Sequence, residues 1–370
     1  MGMKRLLTVV AAVLTTLALA ACGSGDDGGS SGSSSSSGGG KDELKGKIAV
    51  LLPDSKSSAR WETADRRFFE EAFKAAGLSK DDYLISNAEG DPSTQRSQAE
   101  QAITEGAKVI LLVNLDPGSG AAIIASAKEQ GVTMIDYDRL TVGGDADYYV
   151  SGDATEAGRL QARGLIDDLK DTPDARIAIL DGAPTDSFAT DLKKGYLEVL
   201  KSGDGSGIEI AAQQAVPNWD SQKALTIYEQ MLQAADDPFA GTLAANDSIA
   251  NATIAARKAR QLKMIPTSGL DATPEALQHI LAGEQSFTVY FSIKEQATKA
   301  ANLAVSLARG EKPQGLSAKV DNGNGQIPAI LLAPQTIRKD NIADTVIADD
   351  FASWDDVCVG KYEKYCPEDR

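Results

Sequence analysis

From residue 47 onward, short apolar runs alternate with amphipathic segments, and this rhythm constrains the chain more than any single residue does. The run 47–52 (KIAVLL) is apolar at consecutive positions and ends at Pro53, the pattern of a strand covered on both faces. Residues 61–76 follow with Phe68, Phe69, Ala72 and Phe73 at helical spacing and stop at Gly77. The unit recurs, predicting strands at 82–87, 109–113, 132–136, 148–151, 176–180, 208–214 and 241–245. Helices are predicted at 92–105, 119–129, 156–170, 190–200, 221–235 and 248–259, with a further helical pattern at 275–282. Strands that alternate with helices are joined by crossovers, so the sheets are parallel and covered on both faces. The expected class is α/β, and two such sheets account for the length.

Ligands of open α/β sheets lie beyond the C-terminal ends of the strands. That rule draws attention to the strand-end loops, among them 53–61, 114–119, 136–140, 181–189, 246–248 and 269–273. They carry Arg60 with Trp61, Asp138 with Arg139, Trp219 with Asp220, Asn246 with Asp247, and Asp271. Planar Asp, Asn and Arg groups make paired hydrogen bonds to adjacent hydroxyls, and indole rings cover apolar C–H faces. The set therefore suits a neutral sugar. Each member alone has a plainer reading, because an Asp after a strand commonly caps a helix and a Trp commonly fills a core. Five such sites at one end of an alternating pattern weigh against that reading for the group.

The chain opens with Lys4 and Arg5, an apolar run over 6–21, and then Cys22 after Leu19, Ala20 and Ala21. A basic start, an apolar run too short to span a bilayer and small residues at a cut site describe a secretory signal. The cysteine after Leu-Ala-Ala resembles the bacterial lipobox, which implies lipidation at Cys22 and an anchor on the outer face of the cell membrane. Residues 23–40 are Gly/Ser-rich with no apolar side chain to bury, so a flexible tether is expected, reaching roughly 20–25 Å on average. The net charge of −16 becomes −18 once Lys4 and Arg5 are removed. Nucleic-acid binding needs dense Lys and Arg, so it is not expected.

Cys358 and Cys366 remain after Cys22, close together in an exported chain, where a disulfide that pins the tail is expected. Two thiolates without nearby histidine do not complete a four-ligand metal site, and no cofactor is expected. The single histidine, His279, reads as surface or packing. No G-x-S-x-G, phosphate-binding Gly-Lys loop or dinucleotide fingerprint is present, so catalysis is not expected. Residues 321–326 (DNGNGQ) lack the terminal glutamate of a calcium loop and read as a linker.

Several stretches together resemble the xylose-binding and related aldose-binding proteins of bacterial ABC importers. They are Ala59-Arg60-Trp61-Glu62, Tyr137-Asp138-Arg139-Leu140, residues 146–153, Gly182-Ala183-Pro184-Thr185-Asp186, Ala245-Asn246-Asp247 and residues 281–290. The resemblance covers about 46–347. It implies the type I periplasmic-binding fold: two doubly wound parallel-sheet lobes joined by a three-segment hinge, enclosing a monosaccharide as they close and passing it to an ABC permease. Carried over position by position, Arg60, Trp61, Asp138, Arg139, Trp219, Asn246 and Asp271 would contact the sugar. Crossings are expected near 151–152, 290–292 and 320–322. One lobe would hold 46–151 and 292–320, the other 152–291 and 321–347. Residues 1–21 would be the signal, 22–45 the tether and 348–370 an added tail, and a monomer is expected.

Three positions depart from the family. An Asn is usual where Phe188 stands, a Lys where Phe291 stands and a Gln where Leu270 stands. Each departure removes a hydrogen-bonding side chain, at about 1–3 kcal/mol for a buried hydroxyl left unpaired. Two expectations stay open: a pocket turned toward a deoxy or substituted sugar, or an ordinary aldose whose contact is restored by Lys294 or a water. A sugar-sensing module for a membrane receptor or kinase would need the same pocket.

Overall fold

The computed structural model describes residues 43–235, 239–368 and 370. The signal, Cys22 and nearly all of the tether lie outside the described residues. Among those described, no helix is long and apolar enough to cross a membrane.

Strand β1 (Lys47–Leu52) shows why the first sheet is covered on both sides. Its side chains alternate with a period of two: Ile48, Val50 and Leu52 enter one core with Phe68, Phe69 and Phe73. Ala49 and Leu51 enter another with Ala99, Ala102, Ile123 and Ile124. The helices supplying those residues are α1 (Arg66–Ala75) on one face, with α2 (Pro92–Thr104) and α3 (Pro117–Glu129) on the other. With β2 (Tyr83–Asn87), β3 (Ala107–Leu112), β4 (Thr133–Tyr137) and β5 (Tyr148–Gly152), β1 forms a parallel array in the order β2-β1-β3-β4-β5.

The chain then leaves this sheet. Helix α4 (Ala154–Leu169) precedes β6 (Ala175–Asp181), followed by α5 (Ser187–Leu200), β7 (Ile208–Ala215), α6 (Ser221–Ala235), β8 (Gly241–Ala244) and α7 (Asp247–Ala259). Strands β7-β6-β8 are parallel. Parallel bridges at Thr242–Thr267 and Leu270–Val289 continue the array toward β9 (Thr288–Tyr290), which follows α8 (Pro274–Leu281). Helix α9 (Ile293–Arg309) returns to pack beside α1 on the first sheet.

The last strands differ from the sequence expectation. Ala318–Asp321 (β10) and Gln326–Leu332 (β11) form an antiparallel hairpin, so 321–326 is a turn between strands, not a linker. Asn322 builds the turn: its backbone N–H donates to Gly325 O, and its Oδ1 accepts from the N–H groups of Asn324 and Gly325 at 3.0 Å each. Strand β11 pairs in parallel with β5 and sends Ile327 and Ala329 to one core of the first sheet, Ile330 and Leu332 to the other. Residues 321–332 therefore belong with the first sheet. The third crossing falls at Ala333 and Pro334, before β12 (Gln335–Ile337) pairs with β9, and not at 320–322.

The C-terminal tail packs against α8. Its helix α10 (Trp354–Val357) starts from a capping box formed by Ser353 and Asp356, Cys358 and Cys366 are disulfide-bonded, and Tyr362 donates to Glu284 at 3.2 Å. His279 is buried against the Tyr362 ring, with centroids 5.7 Å apart, which is the packing role. Burial, with Lys258 nearby, pushes its pKa down to about 4.

Candidate ligand-binding site

The strand ends of both sheets face a common cavity. Arg60 and Trp61 follow β1, where a turn of π-helix (Trp61–Asp65) opens α1; such turns are frequent at functional sites. Asp138 and Arg139 follow β4, Phe188 lies in the first turn of α5 after β6, and Trp219 follows β7. Asn246 follows β8, Asp271 the bridge at Leu270, and Phe291 follows β9. The seven residues carried over as sugar contacts and the three departures, Phe188, Leu270 and Phe291, all line this one cavity, together with Ser57, Ser58 and Asp186. The space these residues surround, open solvent included, is about 380 Å³. A wider cleft beyond Arg139, Asp186 and Trp219 leads outward.

Arg60 organises the charge. Its Nη2 donates to Asp138 Oδ2, and its Nε lies 3.5 Å from Asp65 Oδ2. Burial opposes the charge of this guanidinium, but Asp138, Asp65 and Asp271 outweigh it and hold its pKa above the usual value. At two of the carboxylates burial prevails and disfavours the charged form. Burial raises Asp271 to about 6, with Arg60 holding it down and Asp138 pushing it up. Asp65 is likewise raised to about 6 by burial, against Arg60 and the hydrogen bond from Tyr137.

A second charged cluster holds one aromatic wall. Asp186 Oδ2 accepts from Trp219 Nε1 at 3.0 Å and pairs with Arg139 Nε at 3.1 Å, while its Oδ1 caps α5 through the Phe188 N–H. The Trp219 ring lies where a side chain on Gly182 would be, since a Cβ there would come within 2.2 Å of it. Trp61 is held by Nε1 donating to Ser57 Oγ at 3.2 Å, with the Arg60 guanidinium 4.1 Å over its ring.

Three site residues carry unusual backbone. Asp138, Trp219 and Asp271 have φ of 65°, 54° and 103°, in a region that side-chain-bearing residues rarely occupy and that concentrates at functional sites. No residue-type signal in the sequence marks these three. Asp186 was legible only as part of a matching stretch, because its capping role conceals its second partner. Asn114 contributes from outside the cavity, its carbonyl accepting from Arg139 at 3.2 Å. Asp220 does not reach the cavity; it caps α6 by accepting from Gln222 N–H at 2.9 Å and lines the outer cleft. Asp247 is buried behind Asp271, accepting from Thr288 at 2.8 Å. Lys294 is also not in the cavity, because its Nζ pairs with Asp350 at 2.6 Å. Among the described residues, no group of three or more His, Cys, Asp or Glu is placed to hold a metal ion.

The chain is similar to known proteins over most of its folded body. Residues 48–312 match the periplasmic binding protein domain family. The D-xylose-binding periplasmic protein of Escherichia coli (strain K12) is 33% identical over 307 residues, 82% of this chain and 90% of that protein. The multiple sugar-binding periplasmic receptor ChvE of Rhizobium radiobacter is 27% identical over 322 residues, again 82% and 90%. A carbohydrate transporter solute binding protein of Chloroflexus aurantiacus, solved in complex with D-glucose, superposes with a TM-score of 0.77 at 27% identity, over 85% of this chain and 98% of that one. With the match extending over most of the folded body, the chain belongs to the periplasmic binding protein family and has its type I, doubly wound α/β fold.

Proposed function

We propose that the protein is the sugar-binding component of an ABC importer, capturing a monosaccharide of the xylose-like aldose class and handing it to a membrane permease. The observation that carries this reading is the convergence of Arg60, Trp61, Asp138, Arg139, Trp219, Asn246 and Asp271 on one cavity. Among the described residues, Asp138 Oδ1, Asp271 Oδ1 and Asn246 Nδ2 have no hydrogen-bond partner. Acceptors and a donor thus point at the same small volume, with indole rings in its wall, which is what a ring bearing adjacent hydroxyls requires.

Two sheets read as two lobes closing on the ligand, with the better contacts of the closed state driving the shift. The crossings would be those after β5, after β9 and at Ala333 and Pro334. The site is read as binding without turnover, and the chain as a monomer. The lipobox at Cys22 supports attachment to the outer face of the cell membrane, near the permease. Thermal-shift screening against pentoses and hexoses tests the reading, because a ligand of the folded state raises Tm by mass action. A concentration-dependent rise with at least one monosaccharide, lost in Asp271→Ala, is expected. Absence of any rise across the panel overturns it.

A further inference from the structure

The cavity lining combines side chains with unused hydrogen-bonding atoms and side chains with none. Free acceptor and donor atoms sit on Asp138, Asp271 and Asn246, beside the buried Arg60 guanidinium. The remaining wall contains Phe188, Leu270 and Phe291, each at most 6% exposed. The rings of Phe188 and Phe291 lie 6.1 Å apart, tilted by 50°.

This apolar wall is built into the fold. Gly152, at the end of β5, leaves the space that the Phe291 ring fills: a Cβ at Gly152 would stand 2.5 Å from two ring carbons. The Arg60 guanidinium lies 5.9 Å from the centroid of the Phe291 ring, so the ring is fixed by packing and by charge. The cation nearest in sequence, Lys294, is engaged by Asp350 at 2.6 Å and does not line the cavity. Lys193, on the helix that carries Phe188, is engaged by Asp181 at 2.6 Å. A sugar hydroxyl facing this wall would exchange water for carbon and lose its hydrogen bonds. A hydrogen or a methyl group in the same place would bury apolar surface.

Resting on the monosaccharide reading above, we infer that the bound sugar presents a carbon without a hydroxyl to Phe188, Leu270 and Phe291. The ligand class is a deoxy or methyl-bearing monosaccharide, held by its remaining hydroxyls through Asp138, Asp271 and Asn246. Phe188, Leu270 and Phe291 are then the specificity-determining residues of the site.

Titration calorimetry on the mature chain with matched pairs tests this: D-galactose against 6-deoxy-D-galactose, L-mannose against 6-deoxy-L-mannose, and D-glucose against its 2-, 3-, 4- and 6-deoxy forms. At least one deoxy sugar is expected to bind tenfold or more tighter than its parent. Leu270→Gln and, separately, Phe291→Tyr each add a hydrogen-bonding group to the wall and are expected to shrink or reverse that preference. Parents that bind as tightly as every deoxy partner overturn the inference while leaving the monosaccharide reading intact. A deoxy preference unchanged in both folded variants overturns the assignment to this wall. Binding of neither member of any pair overturns the inference, and the monosaccharide reading falls with it only if the pentose and hexose screen is also negative.

Discussion

Asp271 makes affinity and stability respond to pH in opposite directions. Its carboxyl is half-buried by exposed area but shielded by the surrounding protein, with Arg60 opposing that shielding and Asp138 and Asp65 adding to it, and its pKa stands at about 6, against about 3.9 in an unfolded chain. A carboxyl whose folded pKa is the higher one binds the extra proton in the folded state, so stability falls as pH rises from about 4 to about 6. At about 1.4 kcal/mol per pH unit, that is on the order of 3 kcal/mol from Asp271. Asp65 at about 6 and Asp136 and Asp247 at about 7 act with the same sign. A sugar hydroxyl donating to Asp271 favours the ionised carboxylate. With a ligand-free pKa of about 6, the ionised fraction at pH 5 is about one tenth, and affinity should fall about tenfold between pH 7.5 and pH 5. The measurements are Kd by calorimetry across that range in buffers of different ionisation enthalpy, and Tm of the ligand-free protein. About half a proton released on binding at pH 6 is expected, with Tm of the free protein rising on acidification to pH 5. A Kd that stays constant from pH 7.5 to 5, or proton uptake on binding, would refute the reasoning. Asp271→Asn should flatten the affinity profile.

Two further perturbations follow from the packing. Gly152→Ala drives a methyl into the Phe291 ring, and overpacking of this kind costs about 1–3 kcal/mol; a lower Tm in thermal denaturation and weaker sugar binding are both expected, and an unchanged Kd would contradict the placement of Phe291. Asp186→Ala releases Arg139 and Trp219 together, so calorimetry should show a loss of binding greater than in Asp220→Ala, whose carboxylate caps α6 outside the cavity.

The parts of the fold legible in the sequence are those decided locally. An apolar run closed by Pro53, a helix face of Phe68, Phe69 and Phe73, and the strand-end loops all follow from periodicity and turn residues. The hairpin at β10 and β11 was not legible as part of the first sheet, because its partner β5 lies far back in the chain and only the pairing decides which sheet 326–332 joins. Within the site, residue types and loops were readable, but the left-handed backbone at Asp138, Trp219 and Asp271 was not, since nothing local favours it there. Asp186 illustrates a different limit: one carboxylate caps a helix and orients two site residues, and a sequence shows only the first role. Lys294 was open as a replacement contact until its pairing with Asp350 was visible.

The tail touches both sheets, which bears on the proposed lobe motion. Its disulfide-closed end rests on α8, beside the second sheet, while Asp350 is gripped by helices of the first: Arg67 donates to its carbonyl at 2.6 Å and Lys294 pairs with its carboxylate at 2.6 Å. Any motion that parts the two sheets must slide this residue away from α1 and α9 or bend the chain at 351–353. The Lys294 pair is partly exposed, so it contributes at most about 1 kcal/mol and weakens as salt rises. On the proposed reading of two lobes closing on a neutral sugar, ionic strength would thereby gain a modest lever on closure without touching the ligand.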